Sequence, residues 1–365
     1  MSDKKIQLKR RFYILSFLCE YFNFTKLALA ENSENISGNS IHQTVDGQIQ
    51  NNTTNRTLKL RIRLPLEKKK SPLIIYSPGL GSGISNGESW CNAWQASGYV
   101  VVTISHPMTN DDIWDTHGTT FIKKLQTSIA PPQYDLRVND CKFVITELLK
   151  GSHSKLLNEG LHLDYENNLE NYIDANRIGI AGHSYGALTV QSICGQGDTY
   201  NRDPRIKAAI AFSPGSLTEA SAKKMMAVKI PFFCVMGNHD NHVTFTKNLD
   251  KMTLGMPLEK RKKVFDYLPK GKRQLWIVSD ADHMTFAGEK INSTQFSRDI
   301  PINDTLEKST WHRINEITTS FWDYHLQLDH KMPLNDYKKQ LGNNILQNEI
   351  SEIDLAEYST PLQNK

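Results

Sequence analysis

The sequence predicts an α/β protein with a doubly wound, mostly parallel sheet, an N-terminal antiparallel hairpin and helices on both faces. A series of short, β-branched apolar runs does not alternate with polar residues, which is typical of parallel strands covered on both faces. Stretches of helical length separate these runs, so strand and helix alternate along the chain. The 365 residues are 39% hydrophobic and 22% charged, which supplies a core and excludes collagen-like, coiled-coil and largely disordered chains.

The predicted elements begin with a half-exposed strand and continue as alternating strands and helices. From 57 to 64 every second residue is Leu or Ile and basic residues lie between them, the period-two pattern of a strand with one buried face. The apolar runs predict strands at 73–76, 100–104, 178–181, 208–212, 232–236 and 275–278. The helical stretches are 88–96, 135–150, 186–194, 258–268 and 310–328. Irregular segments at 106–132 and 151–173 are expected to be surface insertions or substrate-shaping loops.

The charge distribution separates a leader from the rest of the chain. Residues 1–30 contain six basic and two acidic residues and so carry the whole formal net charge of +4. The basic region, the apolar stretch at 12–19 and the Ala-Leu-Ala sequence at 28–30 resemble a secretory signal peptide, which predicts a secreted or periplasmic protein. An uncleaved, membrane-associated N-terminus and a cytoplasmic amphipathic leader are the alternatives. Eight apolar positions are too few to span a bilayer, so no stable membrane span is expected in the mature form.

Three further segments follow the leader. The polar stretch 31–56 is expected to be a flexible N-terminal segment, 57–345 a single folded domain, and 346–365 a polar C-terminal tail. Because the folded part is electrically balanced, no nucleic-acid partner is expected. The sequence contains no CxxC pair, which argues against zinc-ribbon and thioredoxin-type sites. The disulfide status of the four cysteines outside the leader stays open: Cys91, Cys141, Cys194 and Cys234.

A candidate nucleophile lies between a predicted strand and a predicted helix. Residues 182–186 read Gly-His-Ser-Tyr-Gly, a G-x-S-x-G motif in the strand–turn–helix context that its chemistry requires. A sharp turn there lifts a serine above the sheet, and side chains at Gly182 and Gly186 would collide with neighbouring elements. The pattern predicts that Ser184 is a catalytic nucleophile.

The general base and the orienting acid are expected after later strands, in the order acid and then histidine. Asp240 follows the predicted strand at 232–236, and His283 follows the one at 275–278, so these two are the candidates. Asp280 is an alternative acid, whereas Asp282 is expected to serve as a turn or supporting carboxylate because adjacent side chains diverge.

Neither a metal nor a cofactor is expected at this site. His239, Asp240 and His242 could form part of a metal site, but the motif supplies no further ligand.

Two backbone N–H groups are predicted to form an oxyanion hole. One belongs to Tyr185, directly after the nucleophile, and the other to Leu80 in the Gly-rich loop after the first core strand. That loop matches neither the P-loop nor the dinucleotide-binding pattern, which argues against phosphate binding. Trp114 and Phe121 are candidates for the acyl or alcohol pocket, with surface anchoring as the alternative.

These motifs resemble those of serine hydrolases with the α/β-hydrolase fold. The resemblance rests on 76–81, 182–186, 236–240, 282–286 and 321–324 and spans about 58–341. Within that fold it is to the group described as predicted dienelactone hydrolases, which is similar to plasma-type platelet-activating factor acetylhydrolases and to bacterial polyester hydrolases. Members usually carry His where this chain has Pro78. The dienelactone hydrolases proper use a cysteine nucleophile, which Ser184 replaces.

The resemblance implies that 57–345 is a catalytic domain. It would cleave a small or medium uncharged ester through an acyl-enzyme on Ser184, with a small-molecule or lipid ester as the partner and no cofactor. A lipase or phospholipid acyl hydrolase of the platelet-activating factor acetylhydrolase type is one alternative. A catalytically silent binding protein of the same fold is another. The sequence does not predict the oligomeric state.

Overall fold

A computed structural model describes most of the chain from residue 43 to residue 355. The ranges outside the description are 1–42, 116–122, 125, 151–155, 158–168, 198–200, 246–251, 291–295, 299, 301–302, 328–331 and 356–365. The predicted leader and Phe121 therefore lie outside the described residues.

The described strands form one large sheet and one small sheet. In chain order they are β1 (Gln43–Asn51), β2 (Arg56–Leu64), β3 (Ser71–Ser77), β4 (Val100–Ser105), β5 (Leu156–Leu157), β6 (Ile173–His183), β7 (Ile206–Phe212), β8 (Phe232–His239), β9 (His242–Phe245), β10 (Met252–Gly255), β11 (Lys272–Asp282), β12 (Phe296–Ser297) and β13 (Ile350–Leu355). The large sheet has the order β13-β11-β8-β7-β6-β3-β4-β2-β1-β5, and the small sheet has the order β10-β9-β12.

The centre of the large sheet is parallel and its edges are antiparallel. The six strands β4, β3, β6, β7, β8 and β11 pair in parallel. The β1–β2 hairpin pairs antiparallel with β4 through β2, and β13 pairs antiparallel with β11 on the other side. Because the carboxyl ends of parallel strands meet at one edge, the residues after β3, β6, β8 and β11 lie close together.

Helices cover both faces of this sheet. They are α1 (Glu88–Ala96), α2 (Pro131–Leu149), α3 (Tyr185–Ile193), α4 (Glu219–Lys223), α5 (Leu258–Asp266), α6 (Asp304–Leu326) and α7 (Leu334–Asn344). One apolar cluster joins the sheet to α2, α3 and α5, and the other joins it to α1, α6 and α7. Alternate residues of β3 belong to different clusters, Ile75 to the first and Ile74 to the second. The predicted α/β-hydrolase architecture, with its N-terminal hairpin, is confirmed.

The predicted domain boundaries are too narrow at both ends. β1 lies in the segment 31–56 that was expected to be flexible, and β13 lies in the expected polar tail 346–365. β13 is an edge strand and β1 lies next to the other edge, with the two-residue β5 on its outer side. The register of β1 along β2 and of β13 along β11 comes from backbone hydrogen bonds. A strand of this kind needs few apolar residues: Val45 and Ile49 are the buried hydrophobic residues of β1.

The cysteine question has an answer in the described part of the chain. Cys91, Cys141, Cys194 and Cys234 are all free and buried. Burial raises the pKa of the Cys91 thiol to about 11, so this thiol stays protonated at neutral pH. Among the described residues, no helix is both long enough and apolar enough to cross a membrane.

Candidate active site

Ser184 occupies a strained turn between β6 and α3. Its φ is 54°, in the left-handed region that residues other than Gly seldom adopt. Its N–H donates to the carbonyl of Phe212 at 3.0 Å, which helps to hold the turn. The flanking glycines are needed for space: a Cβ at Gly186 would lie 1.8 Å from the carbonyl oxygen of Ser77, and a Cβ at Gly182 would lie 2.6 Å from that of Gly186.

The three residues predicted for catalysis meet in one hydrogen-bond chain. Ser184 follows β6, Asp240 follows β8 and His283 follows β11, each at the residue directly after the strand. The distance from Ser184 Oγ to His283 Nε2 is 2.8 Å, and that from His283 Nδ1 to Asp240 Oδ1 is also 2.8 Å. Asp280, the alternative acid, is exposed.

An arginine that the motifs did not reveal lies against the acid. Arg261 of α5 is buried, and its Nε lies 3.2 Å from Asp240 Oδ1 while donating to the Asp240 carbonyl at 2.8 Å. Burial alone would raise the pKa of Asp240, but the Arg261 charge and then His283 outweigh it and lower this pKa. Arg261 Nη2 lies 3.2 Å from His283 Nδ1. Because Asp240 is ionised, Nδ1–H donates to Asp240 and this guanidinium contact is not a hydrogen bond.

A capped turn carries His283. Residues His283–Ala287 form a 3₁₀ helix whose N-cap is Asp282. Asp282 Oδ1 accepts from the N–H of Thr285 at 2.9 Å, and Thr285 Oγ1 accepts from the N–H of Asp282 at 3.1 Å, which makes a capping box. Arg298 contacts both carboxylate oxygens of Asp282 at 3.2 Å. Asp282 thus supports the turn, as expected.

Leu80 and Tyr185 both line a cavity at Ser184. Their N–H groups have no acceptor in the described part of the chain. The loop that carries Leu80 is supported on two sides: Gly79 donates its N–H to Asn86 Oδ1 at 3.3 Å, and Gly81 donates its N–H to the carbonyl of Thr109 at 2.8 Å.

Trp114 supports this loop and does not line the cavity. Its Nε1–H donates to the carbonyl of Gly81 at 2.8 Å, and its ring lies where a Gly81 Cβ would point. The prediction that Trp114 belongs to the acyl or alcohol pocket is therefore wrong. Its indole packs beneath the backbone of the loop.

A family model for platelet-activating factor acetylhydrolase, isoform II, matches residues 20–273, more than half of the chain. The chain belongs to this family. The match includes the loop with Leu80, the Ser184 turn and Asp240, and it ends ten residues before His283. The position of His283 in the site therefore rests on the geometry above.

Two similar proteins agree with this membership. One is a probable 1-alkyl-2-acetylglycerophosphocholine esterase of Arthroderma benhamiae, 27% identical over 40% of this chain and 31% of its own. The other is the platelet-activating factor acetylhydrolase of Cavia porcellus, 22% identical over 72% of this chain and 59% of its own. The chain thus spans about a third and three fifths of the two relatives. A solved 2,6-dihydroxy-pseudo-oxynicotine hydrolase is 14% identical, with a TM-score of 0.47 over 79% of this chain and 70% of that one.

The cavity has a volume of about 290 Å³ and walls that are mostly apolar. Its apolar lining residues come from six separate parts of the sequence: Leu80, Ile129, Leu188, Leu217, Met256 and Met284. Leu217 is 77% exposed and Ile129 is 46% exposed, so both stand at the mouth. No motif marks these residues, because each lies on a different loop or helix and only the fold gathers them.

The metal site considered for His239, Asp240 and His242 includes the side chain of His242, which lies outside the described residues. Within them, no group of three His, Cys, Asp or Glu side chains is arranged to hold a metal ion. Asp240 instead pairs with His283 and Arg261.

Proposed function

We propose that this family member is a carboxylic ester hydrolase that works through an acyl-enzyme on Ser184. The observation that carries the proposal is the hydrogen-bond chain Ser184–His283–Asp240, which opens into a cavity beside two N–H groups that have no acceptor among the described residues. Family membership supports the same reaction class.

The geometry supports a two-step reaction. His283 Nε2 takes the Ser184 proton as Oγ bonds to the ester carbonyl carbon, and the carbonyl electrons move to its oxygen. The N–H groups of Leu80 and Tyr185 donate to that oxyanion. The intermediate expels the alcohol, which leaves with the proton from His283. Water then repeats the sequence on the acyl-enzyme, and Asp240 holds the imidazole tautomer throughout.

The cavity favours an uncharged acyl group of small or medium size. The described residues that line it include no carboxylate. Arg261 is the one Lys or Arg among them, and it is engaged by Asp240 and backbone carbonyls. A charged acyl group would lose its hydration without gaining a partner.

A second candidate substrate is an acetylated ether phospholipid of the 1-alkyl-2-acetylglycerophosphocholine class. The family match and the esterase activity after which the Arthroderma relative is named favour it.

Export of the mature protein is part of the proposal, supported by the basic and then apolar leader at 1–30. Determining the N-terminus of the native protein tests this, and a soluble chain that retains the leader would contradict it.

Substitution of the nucleophile tests the reaction. Ser184→Ala should lower kcat on p-nitrophenyl acetate by about 10⁴-fold to 10⁶-fold and abolish fluorophosphonate labelling. Ser192→Ala, on the same helix but outside the cavity lining, is the matched control and should keep both properties. An unlabelled wild-type protein would indicate a silent binding protein. Equal activity of Ser184→Ala would refute the nucleophile. Comparison of acetyl with long-chain esters, and with the ether phospholipid, then separates the two substrate classes.

A further inference from the structure

A second Ser–His–Asp chain is buried behind the oxyanion loop. Ser77 Oγ lies 3.0 Å from His106 Nε2, and His106 Nδ1 lies 2.9 Å from Asp140 Oδ2. Ser77 is fully buried, His106 is 1% exposed and Asp140 is fully buried, and none of the three lines the active-site cavity. This chain therefore has no substrate to attack, although its connectivity is that of the catalytic one.

An arginine stands at each end of this chain. Arg56 forms a two-point contact with Asp140, from Nε at 3.0 Å and from Nη2 at 2.8 Å. Arg137 Nη2 donates to Ser77 Oγ at 3.0 Å. An arginine can only donate, so Ser77 accepts from it and gives its own proton to His106 Nε2. His106 Nδ1–H then donates to Asp140, and every member has one defined role.

Burial keeps His106 in this neutral state. Burial first and then the charge of Arg137 lower the pKa of His106 to about 4. The imidazole therefore stays neutral across the neutral pH range, as the direction of the hydrogen bonds requires.

Arg137 reaches the strand and loops on which the first oxyanion donor depends. Besides Ser77 Oγ, its Nη2 donates to the carbonyl of Pro78, two residues before Leu80. Its Nη1 donates to Thr109 Oγ1 at 2.6 Å, and the carbonyl of Thr109 accepts the N–H of Gly81. The loop is thus held by Arg137 from both sides of Leu80.

The same guanidinium also holds the second donor. It lies over the ring of Tyr185, 4.7 Å from the ring centroid. Its Nε donates to Thr189 Oγ1 at 3.0 Å, and that hydroxyl also contacts the carbonyl of Tyr185 at 3.2 Å. The acceptors bonded to Arg137 are hydroxyl and carbonyl oxygens, not carboxylates. Among the described residues no carboxylate is bonded directly to this buried cation, a placement that stability alone does not explain.

We propose that Arg137, anchored through Ser77, His106 and Asp140, is a positioning residue that fixes the two oxyanion N–H groups at their catalytic separation. The proposal rests on the proposed ester hydrolysis and adds the device that aligns its oxyanion hole. Arg137 does not touch the substrate; it acts through the backbone of Leu80 and Tyr185.

The test compares Arg137→Met with wild type and with Arg205→Met. Arg205 binds α2, the helix that carries Arg137, through Thr146 and the carbonyl of Lys142, but it lies away from the cavity. Each protein is titrated with a fluorophosphonate to count competent Ser184 sites. Then kcat per site and KM are measured on p-nitrophenyl acetate, together with the affinity for a trifluoromethyl ketone whose adduct carries an oxyanion.

Arg137→Met should lower kcat per titrated site by about 10-fold to 100-fold and weaken the ketone by a similar factor, with KM changed much less. Arg205→Met should match wild type in all three. If Arg137→Met kept the wild-type kcat per site and ketone affinity, the proposal would be overturned. It would also be overturned if the variant had fewer titratable sites but each remaining site had the wild-type kcat.

Two milder variants keep the test decisive if Arg137→Met does not fold. Arg137→Lys keeps the charge and loses the fork, and Ser77→Ala removes one link of the chain. Both should lower kcat per site and ketone affinity together, and wild-type values in both would overturn the proposal. Failure of the ester hydrolase proposal would look different, because the wild-type protein would then neither label nor turn over.

Discussion

At the scale of single residues, the site depends on keeping one carboxylate ionised in a fully buried place. Asp240 has no exposed surface, and the adjacent Arg261 charge lowers its pKa despite that burial. Because its folded pKa is lowered, the stability that Asp240 contributes is present above its ordinary pKa and is lost as pH falls through the folded value. The arginine therefore keeps the acid ready to orient His283 throughout the neutral range.

Asp240→Asn should lower kcat by about 10⁴-fold and leave the protein folded. The amide can donate to Nδ1, which favours the imidazole tautomer that cannot accept the Ser184 proton. Steady-state kinetics beside a circular dichroism spectrum measures this. Asp280→Asn is the matched control, since Asp280 is exposed and its φ of 52° suits asparagine. If Asp280→Asn were the slow variant instead, the acid would be misassigned.

The sequence pattern predicts the candidate site residues at strand ends but does not predict the buried arginines. Ser184, Asp240 and His283 come three to five residues after the ends of apolar runs, so a strand prediction already places them at one edge. Arg261 lies among lysines, a composition that indicates a solvated helix face. A finer signal was present: Arg261 is three residues from both Leu258 and Val264, the spacing of the helix face that packs on the sheet.

At the scale of elements, the capping box that begins the turn His283–Ala287 sets where the base stands. Asp282 accepts from Thr285, and Arg298 clamps the same carboxylate. The backbone of His283 is therefore held from the preceding residue, independently of its contact with Asp240.

Asp282→Ala should lower the free energy of unfolding by about 1–2 kcal/mol and kcat by about tenfold, since the cap is lost and the turn shifts. Asp282→Asn keeps a cap acceptor and should retain most of the activity. Urea unfolding and steady-state kinetics on the two variants make the comparison. Equal kcat in Asp282→Ala and wild type would show that the cap does not position His283.

The strands that the sequence predicts carry a clear apolar pattern, continuous in the central strands and alternating in β2. β3, β4 and β7 carry almost uninterrupted apolar residues because both faces are covered. β1 and β13 were missed because pairing at or next to the edge of the sheet depends on backbone hydrogen bonds, which leave little trace in composition. β9, β10 and β12 were missed for a related reason, since strands of two to four residues are too short to show a period.

At the scale of the whole molecule, folding buries histidines in neutral form. Burial lowers the pKa of His106 to about 4 and that of His325 to about 3, and it lowers the pKa of His183 far below the ordinary value. The unfolded chain takes up protons at these imidazoles near pH 6.5, and the folded chain does not. Stability from this source is present above pH 6.5 and declines as pH falls towards the folded values.

Two carboxyl groups oppose this trend. Burial raises the pKa of Glu289 and of Asp323, so the folded chain binds their protons before the unfolded chain does. Their effect on stability begins only when the pH falls to the range in which carboxyl groups ordinarily titrate. Between about pH 6 and pH 5 the histidines therefore dominate.

The free energy of unfolding should fall with pH in that interval by about 1.4 kcal/mol per pH unit for each of these histidines. His325→Phe should remove one such contribution and flatten the slope by that amount. Phenylalanine suits the site because the ring of His325 packs on two aromatic rings. The ring centroids are 4.4 Å apart for Phe321 and 4.9 Å apart for Tyr324.

Urea unfolding at half-unit steps of pH measures both slopes. His312→Gln is the matched control, since it replaces an exposed histidine on the same helix. A slope that His325→Phe does not change would show that the folded protein accepts a proton at the His325 ring. A wild-type slope near zero would show this for all three buried rings. The buried chain behind the oxyanion loop would then lose its neutral histidine at mildly acidic pH.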